Sequence, residues 1–297
     1  MWVWKSRAEI DTHEWDLYLN HSLEPFVEFH SWYLDICCEH WGAFFNLKDN
    51  SRISIPFVKK LYFIKAVTRP PYVQRLKIIS DQIVEEYAIV ELFKIIKSNF
   101  KCGTLNWNYH FLNSKIRANY IIQDKKPLFN QSTNRNLGKS IREALSYRTT
   151  KNSNELIDWL QTNGENYVYK KDFNNDLFKA LINKLLELEN GFLILSENSL
   201  GKIQSAAIFT QSARRIVFFL SFNSQSGKKN GAMVGLLNYV INEIMQPRQE
   251  LDLEGSDIPG VALFYESLGA KKFPYFELTW NESIICKLIT FIKKFIN

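Results

Sequence analysis

The period of the hydrophobic pattern changes in a fixed order along the last third of this sequence, and few folds accommodate that order. From Leu177 to Leu188, Phe178, Leu181, Ile182, Leu185 and Leu188 recur at helical spacing and stop short of Gly191. Phe192–Ser196, Ile203–Thr210 and Arg215–Phe222 then read as three strands, separated by Gly201 and a polar turn, most economically an antiparallel meander. Gly231–Met245 returns to helical spacing through Val234, Leu237, Ile241 and Ile244. Leu251–Leu253 is a short strand, Pro259–Leu268 a helix opened by proline and stopped by Gly269, and Phe273–Trp280 a last strand. This order predicts an α/β (α+β) fold, with a mixed, mostly antiparallel, twisted sheet flanked by helices.

The first half has a related order. Two short helices fall between Trp15 and Trp41, broken by Pro25. Gly42–Leu47 and Arg52–Val58 form a predicted hairpin around Asp49-Asn50, and Leu61–Val67 extends it until Pro70-Pro71. A helix over Ile83–Ile96 is expected to start at Ser80 or Asp81 and to bury Ile83, Tyr87, Val90, Phe93 and Ile96. Thr104–Trp107 and Arg117–Ile122 are further strands. A chain of 297 residues suits two domains of ordinary size. The boundary is expected between 131 and 132, where Arg135, Lys139, Arg142, Arg148 and Lys151 face one acid, Glu143, and Gly138–Tyr147 reads as a short helix. The halves share no sequence repeat, so duplication is inferred from element order alone.

Several function classes drop out. Composition is that of a globular chain, with 46% hydrophobic and 23% charged residues, and a net charge of +6 gives a weak bias toward anionic partners. Cys37, Cys38, Cys102 and Cys286 lack metal or redox spacing and are expected as packed thiols. His13, His21, His30, His40 and His110 form no metal-ligand pattern, so no metal is expected. No Walker loop, Gly-x-Ser-x-Gly elbow or GxGxxG fingerprint is present, which removes support for kinase, hydrolase and dinucleotide readings. With neither a signal-peptide pattern nor a membrane-length apolar run, a cytoplasmic location is expected. Near the end, Ile284, Leu288, Ile292, Phe295 and Ile296 make an amphipathic stripe with Lys287, Lys293 and Lys294 mostly elsewhere, suited to core packing or to an anionic membrane surface.

Certain residues have the chemistry of a site. Gly227-Lys228-Lys229-Asn230-Gly231-Ala232 joins a strand to a helix, where glycines, successive N–H groups and a helix N-terminus cradle anions. Asp252 and Glu254, two apart on a strand, are expected to face the same side and to supply a base, with Glu254 preferred because it is nearer the strand end. Ser256 either binds substrate or caps the turn before Pro259. Arg69, Tyr72, Gln74 and Arg75 occupy a Pro-bounded loop suited to lining an acceptor groove.

Phe264-Tyr265-Glu266-Ser267-Leu268-Gly269-Ala270-Lys271-Lys272-Phe273 resembles the late motif of the GNAT N-acyltransferases, a tyrosine on a helix that ends in glycine. The Gly227–Ala232 turn lies where that superfamily holds the pyrophosphate of acyl-coenzyme A, although Met233 replaces the last small residue of its pattern. Gly201–Trp280 is more similar to the Fem-type, peptidoglycan-bridge branch: Leu251–Ser256 looks like its acidic strand followed by glycine, and Ser140–Ala144 like its basic helix. Arg69–Gln74 resembles, more weakly, a loop of the first of two GNAT-like domains in such relatives. The resemblance implies two GNAT-like domains and transfer of an acyl or aminoacyl group to an amine, in cell-envelope or polysaccharide biosynthesis. It implies Tyr265 as the acid for the leaving group, acyl-CoA or aminoacyl-tRNA as donor, and a small or lipid-linked amine as acceptor. A membrane-peripheral contact is compatible with it, and DNA is not an expected partner. The rival reading is a non-catalytic GNAT-fold protein that binds an anionic ligand or RNA.

Overall fold

The computed structural model describes residues 1–60, 64–163 and 176–282. Packing divides the chain into two compact units, Met1–Arg117 with the segment from Pro274 onward, and Ala118–Phe273. The expected tail helix and Cys286 lie outside the described residues.

In the first unit the chain forms β1 (Trp2–Ser6), α1 (Thr12–His21), α2 (Ser31–Cys37), β2 (His40–Asn46), β3 (Arg52–Lys60), β4 (Ile64–Val67), α3 (Glu86–Asn99) and β5 (Cys102–Trp107). Asp11 caps α1 by accepting the Glu14 N–H, and Trp15 and Leu19 face inward. The predicted hairpin is present as β2 and β3, turned at Asn50 with φ 59°. In α3 the expected face is wrong. The helix starts later, after Glu85, so Ile83 lies outside it; the buried stripe is Ala88, Ile89, Leu92 and Ile96, and Ile83 and Tyr87 are 88% and 62% exposed. Cys37, Cys38 and Cys102 are free thiols, and burial pushes the Cys37 thiol up to about 12.

The second unit is entered along β6 (Lys115–Ile122) and continues with α4 (Gln131–Arg142), β7 (Ser146–Thr150), α5 (Ser153–Asn163), α6 (Asp176–Glu187), β8 (Gly191–Glu197), β9 (Ile203–Gln211) and β10 (Arg215–Asn223). It ends with α7 (Gln225–Asn230), α8 (Ala232–Tyr239), β11 (Glu250–Asp252) and α9 (Pro259–Ser267); β12 (Lys271–Asn281) follows. On α6 the predicted residues Phe178, Leu181, Ile182 and Leu185 are buried, but Leu188 lies past the end of the helix and is exposed. Around Gly138–Tyr147 the expectation fails: α4 is already under way at Gln131, held by Asn130 as cap, and Tyr147 lies in β7. The core of this unit combines Ile194, Ala207, Phe209, Ile216 and Phe218 of the strands with Met233, Leu236, Leu237 and Val240 above them.

Strand order is the same in both units. The first runs β1-β2-β3-β4-β5-β12 and the second β7-β8-β9-β10-β11-β6, each antiparallel except for one parallel pair, β4/β5 or β10/β11. This bears on the expected boundary at 131/132. Composition changes there, but backbone pairing does not: the second unit already owns the end of β6, and β12 pairs with β5, in the first unit.

Candidate functional site

The second unit has a cleft of about 310 Å³ lined from four directions: Phe218, Ser221 and Asn223 of β10, Gly227 and Lys228 of α7 with Gly231, Met233 and Val234 beyond it, Asn136 of α4, and Val261, Phe264 and Tyr265 of α9. It exists because β10 and β11 pair only over Arg215–Val217 and Glu250–Asp252 and then part. Phe219 is a bulge, where the register with β9 slips between Phe218 and Leu220. In a regular strand Phe218 and Ser221 would point to opposite faces; the bulge brings both into the cleft.

The closed end of the strand pair is fastened by charge. Arg215 donates to Asp252 Oδ2 at 2.7 Å and to Glu250 Oε2 at 2.9 Å. Asn119 of β6 donates to Asp252 Oδ1, and Gln123, just after β6, to Glu250 Oε1, both at 2.9 Å. Asp252 is 1% exposed. The expected pairing of Asp252 and Glu254 on one strand face does not occur, because β11 ends at Asp252 and Glu254 adopts φ 60°, a left-handed turn. The Glu254 N–H donates to Asp252 Oδ1 at 2.9 Å, while its carbonyl accepts from Tyr120 N–H at 3.0 Å. Tyr120 in turn packs its ring 5.6 Å from that of Tyr265.

Tyr265 projects from α9, opened by Pro259 and closed by Gly269 at φ 76°. No residue of α9 is fully buried: Ala262, Phe264 and Tyr265 pack partly exposed against the core, and Val261, Phe264 and Tyr265 line the cleft. Burial, then the charges of Glu254 and Asp252, push the Tyr265 phenol well above its ordinary value. It therefore stays protonated across the physiological range. At its far end α9 is tied to α4, with Thr133 and Ser267 hydroxyls 2.7 Å apart and Asn130 N–H donating to the Ser267 carbonyl.

The segment expected to be an anion-cradling loop is mostly helix. Ser224 caps α7, which carries Lys228, Lys229 and Asn230, and Gly231 at φ 75° ends it and begins the helix at Ala232. The N–H groups of Gly227, Lys228 and Gly231 are spent on Ser224 Oγ, Ser224 O and Gly227 O. A Cβ at Gly227 or Gly231 would lie 2.1 Å from the carbonyl oxygens of Gln204 and Asn136, so both glycines serve close packing of backbones. Asn230 turns to Gln204, Ala232 is buried, and Met233 belongs to the core. What is left for an anion is the start of α8, beside Lys228. The spent N–H groups of Gly227, Lys228 and Gly231 offer nothing to a pyrophosphate.

Other expected site residues have structural duties. Ser256 Oγ accepts from Ile258 N–H and caps the turn before α9. Arg69, Tyr72, Gln74 and Arg75 belong to the first unit and do not line the cleft. Arg75 is buried between the rings of Phe26 and Tyr275 and donates to Gln74, while Tyr72 accepts from the Tyr33 hydroxyl. Sequence reasoning missed Asn136, Ser221 and Asn223, since isolated polar residues give no periodic signal, and missed Arg215, whose only cue was a charge opening an apolar strand.

Each unit, with its single parallel strand pair among antiparallel neighbours and helices on the sheet, has the GNAT-like fold. No family model matches the sequence, and no curated protein matches it. Among solved structures the chain is similar to FemX, at 10% identity and TM-score 0.65 over 92% of this chain and 97% of that one. It is also similar to a conserved protein of unknown function from Bacteroides thetaiotaomicron, at 12% identity and TM-score 0.62 over 95% and 100%. L-PGS from Bacillus licheniformis aligns at 13% identity and TM-score 0.60 over 94% and 95%.

Proposed function

We propose that the protein is a transferase that moves an aminoacyl or acyl group to an amine, with the chemistry in the second unit. The observation that carries this reading is the Tyr265 phenol, which lines the cleft beside β10 and whose burial keeps it neutral, with the Glu254 carbonyl bonded to the neighbouring Tyr120. In the proposed step Glu254 takes a proton from the acceptor amine. Its nitrogen bonds to the carbonyl carbon as the bond from that carbon to the donor's oxygen or sulfur breaks, and the Tyr265 hydroxyl gives the leaving atom its proton. Tyr265 then recovers a proton from solvent, and Glu254 releases the one it took, so both groups return to their starting state.

An RNA-borne aminoacyl ester is favoured over acyl-CoA as the donor. Against coenzyme A stand the spent N–H groups of α7 and the packing of Met233. For a polyanion stand Arg135, Lys139 and Arg142 on α4 and Lys228 and Lys229 on α7, none in an ion pair among the described residues. The name of one further structural neighbour, a putative lysylphosphatidylglycerol synthetase from Agrobacterium fabrum, describes an amino acid joined to a lipid. A small or lipid-linked amine is accordingly the proposed acceptor.

The test incubates the full chain with radiolabelled aminoacyl-tRNA or acetyl-CoA and a panel of primary amines, and follows label into product. Transfer from tRNA is expected, falling about 10–100-fold in Tyr265→Phe and weakening as salt rises. Absence of transfer from both donors, with no binding of either, would overturn the reading; salt-sensitive tRNA binding without transfer would identify a non-catalytic binding protein.

A further inference from the structure

Glu254 is the residue of the site whose backbone is least comfortable. Its φ of 60° is the left-handed region, disfavoured for a side chain that carries a Cβ, and a glycine, Gly255, stands one position later. Two hydrogen bonds hold the turn: the Glu254 N–H to Asp252 Oδ1 and the Glu254 carbonyl to the Tyr120 N–H. The first depends on a carboxylate that is itself almost wholly buried, and such a charge is sustained only by partners. Arg215 and Asn119 supply them.

We propose that Asp252 is a positioning residue: its carboxylate, neutralised by Arg215, holds the Glu254 backbone in the left-handed turn that keeps the Glu254 side chain at the open end of the β10/β11 pair. The chain thus separates the two acids by role. Asp252 faces Arg215, Asn119 and the Glu254 amide, leaving it no access to substrate, and Glu254 works from a backbone conformation that Asp252 imposes. The inference rests on the transferase reading for its kinetic arm and stands without it for its spectroscopic arm.

The experiment compares Asp252→Asn, Asp252→Leu, Glu254→Gln, Glu254→Gly and the Asp252→Leu/Glu254→Gln double variant in the full chain. Asparagine keeps an oxygen for the Glu254 amide and leucine does not. Expected kinetics are near-wild-type turnover for Asp252→Asn, a loss of about 10²-fold in kcat with little change in KM for Asp252→Leu and Glu254→Gln, and a double variant no slower than either single one. Additive losses in the double variant, or equal losses for asparagine and leucine, overturn the proposal. Hydrogen exchange and the chemical shift of the Glu254 backbone amide give the activity-independent reading: protection retained in Asp252→Asn and lost in Asp252→Leu. Unchanged protection in Asp252→Leu overturns the proposal even if no donor is ever turned over. Glu254→Gly is expected to raise the folding equilibrium constant about three- to tenfold by relieving the turn while turnover is lost; a fall in that constant also counts against it.

Discussion

Gly231 and Gly201 have nearly the same backbone conformation, φ 75° and 72°, and opposite surroundings. At Gly201, between β8 and β9, an added Cβ meets nothing within 4 Å. At Gly231, between α7 and α8, it would lie 2.1 Å from the Asn136 carbonyl oxygen and 2.8 Å from its carbon, atoms of helix backbone that no rotamer change can move aside. Alanine at either site incurs the left-handed penalty, about 1–2 kcal/mol, reduced by the smaller entropy of the unfolded alanine chain. Only Gly231→Ala must also push α8 off α4, an overpacking cost of about 1–3 kcal/mol. The two variants should therefore differ by about 1–3 kcal/mol in a urea titration of the full chain read at the transition of the second unit. Equal losses would refute the reasoning, since they would show that backbone conformation alone requires a glycine at Gly231.

Other outcomes follow from the charges. Arg215→Met strands the buried Asp252 carboxylate and should destabilise the second unit by roughly 3–5 kcal/mol, checked by the same titration; a loss under 1 kcal/mol would contradict the assigned ion pair. Hydrogen bonds from Arg148 hold the Glu155 carboxyl below its ordinary 4.5, so the pair's contribution is present above that pH and disappears as pH falls through the lower folded value. Melting temperature should thus fall less steeply below pH 4.5 in Arg148→Met than in the wild type. Because the Tyr265 phenol is raised, transfer activity should show no alkaline loss from that group below pH ~10, and a Tyr265-dependent decline near neutrality in a pH–rate profile would exclude it as the proton donor.

The parts of the fold legible in the sequence are those where one apolar face repeats without interruption. The α6 stripe as far as Leu185, the β8–β10 meander and α9, bracketed by Pro259 and Gly269, stand as read. β7 was not legible because Ser146, Arg148 and Thr149 are exposed and the strand pairs on one side only, with β8, so its sequence has no apolar alternation. For α7, Ser-Gln-Ser-Gly-Lys-Lys-Asn-Gly reads as loop by composition; the usable signal was the spacing of a capping Ser224 from a terminating Gly231. Tyr265, singled out by the motif, lines the cleft, while Glu254, singled out by the strand end, is not among its lining residues. The relation between Glu254 and Asp252 was not legible, since the period-two rule applies only while a strand continues and β11 stops between them.

The return of β12 to β5 has a consequence for how the chain is made. Trp280 donates its indole N–H to the Phe100 carbonyl, 180 residues back, and Phe276–Asn281 complete the ladder begun at Cys102–Trp107. A nascent chain emerging from the ribosome can close the second unit once Phe273 is out, for that unit is continuous in sequence. The first unit, though begun earlier, has one edge of β5 unpaired until β12 arrives. Translation order and completion order are therefore inverted, and a stop codon between Phe273 and Trp280 would leave the unit made last intact and the unit made first unfinished.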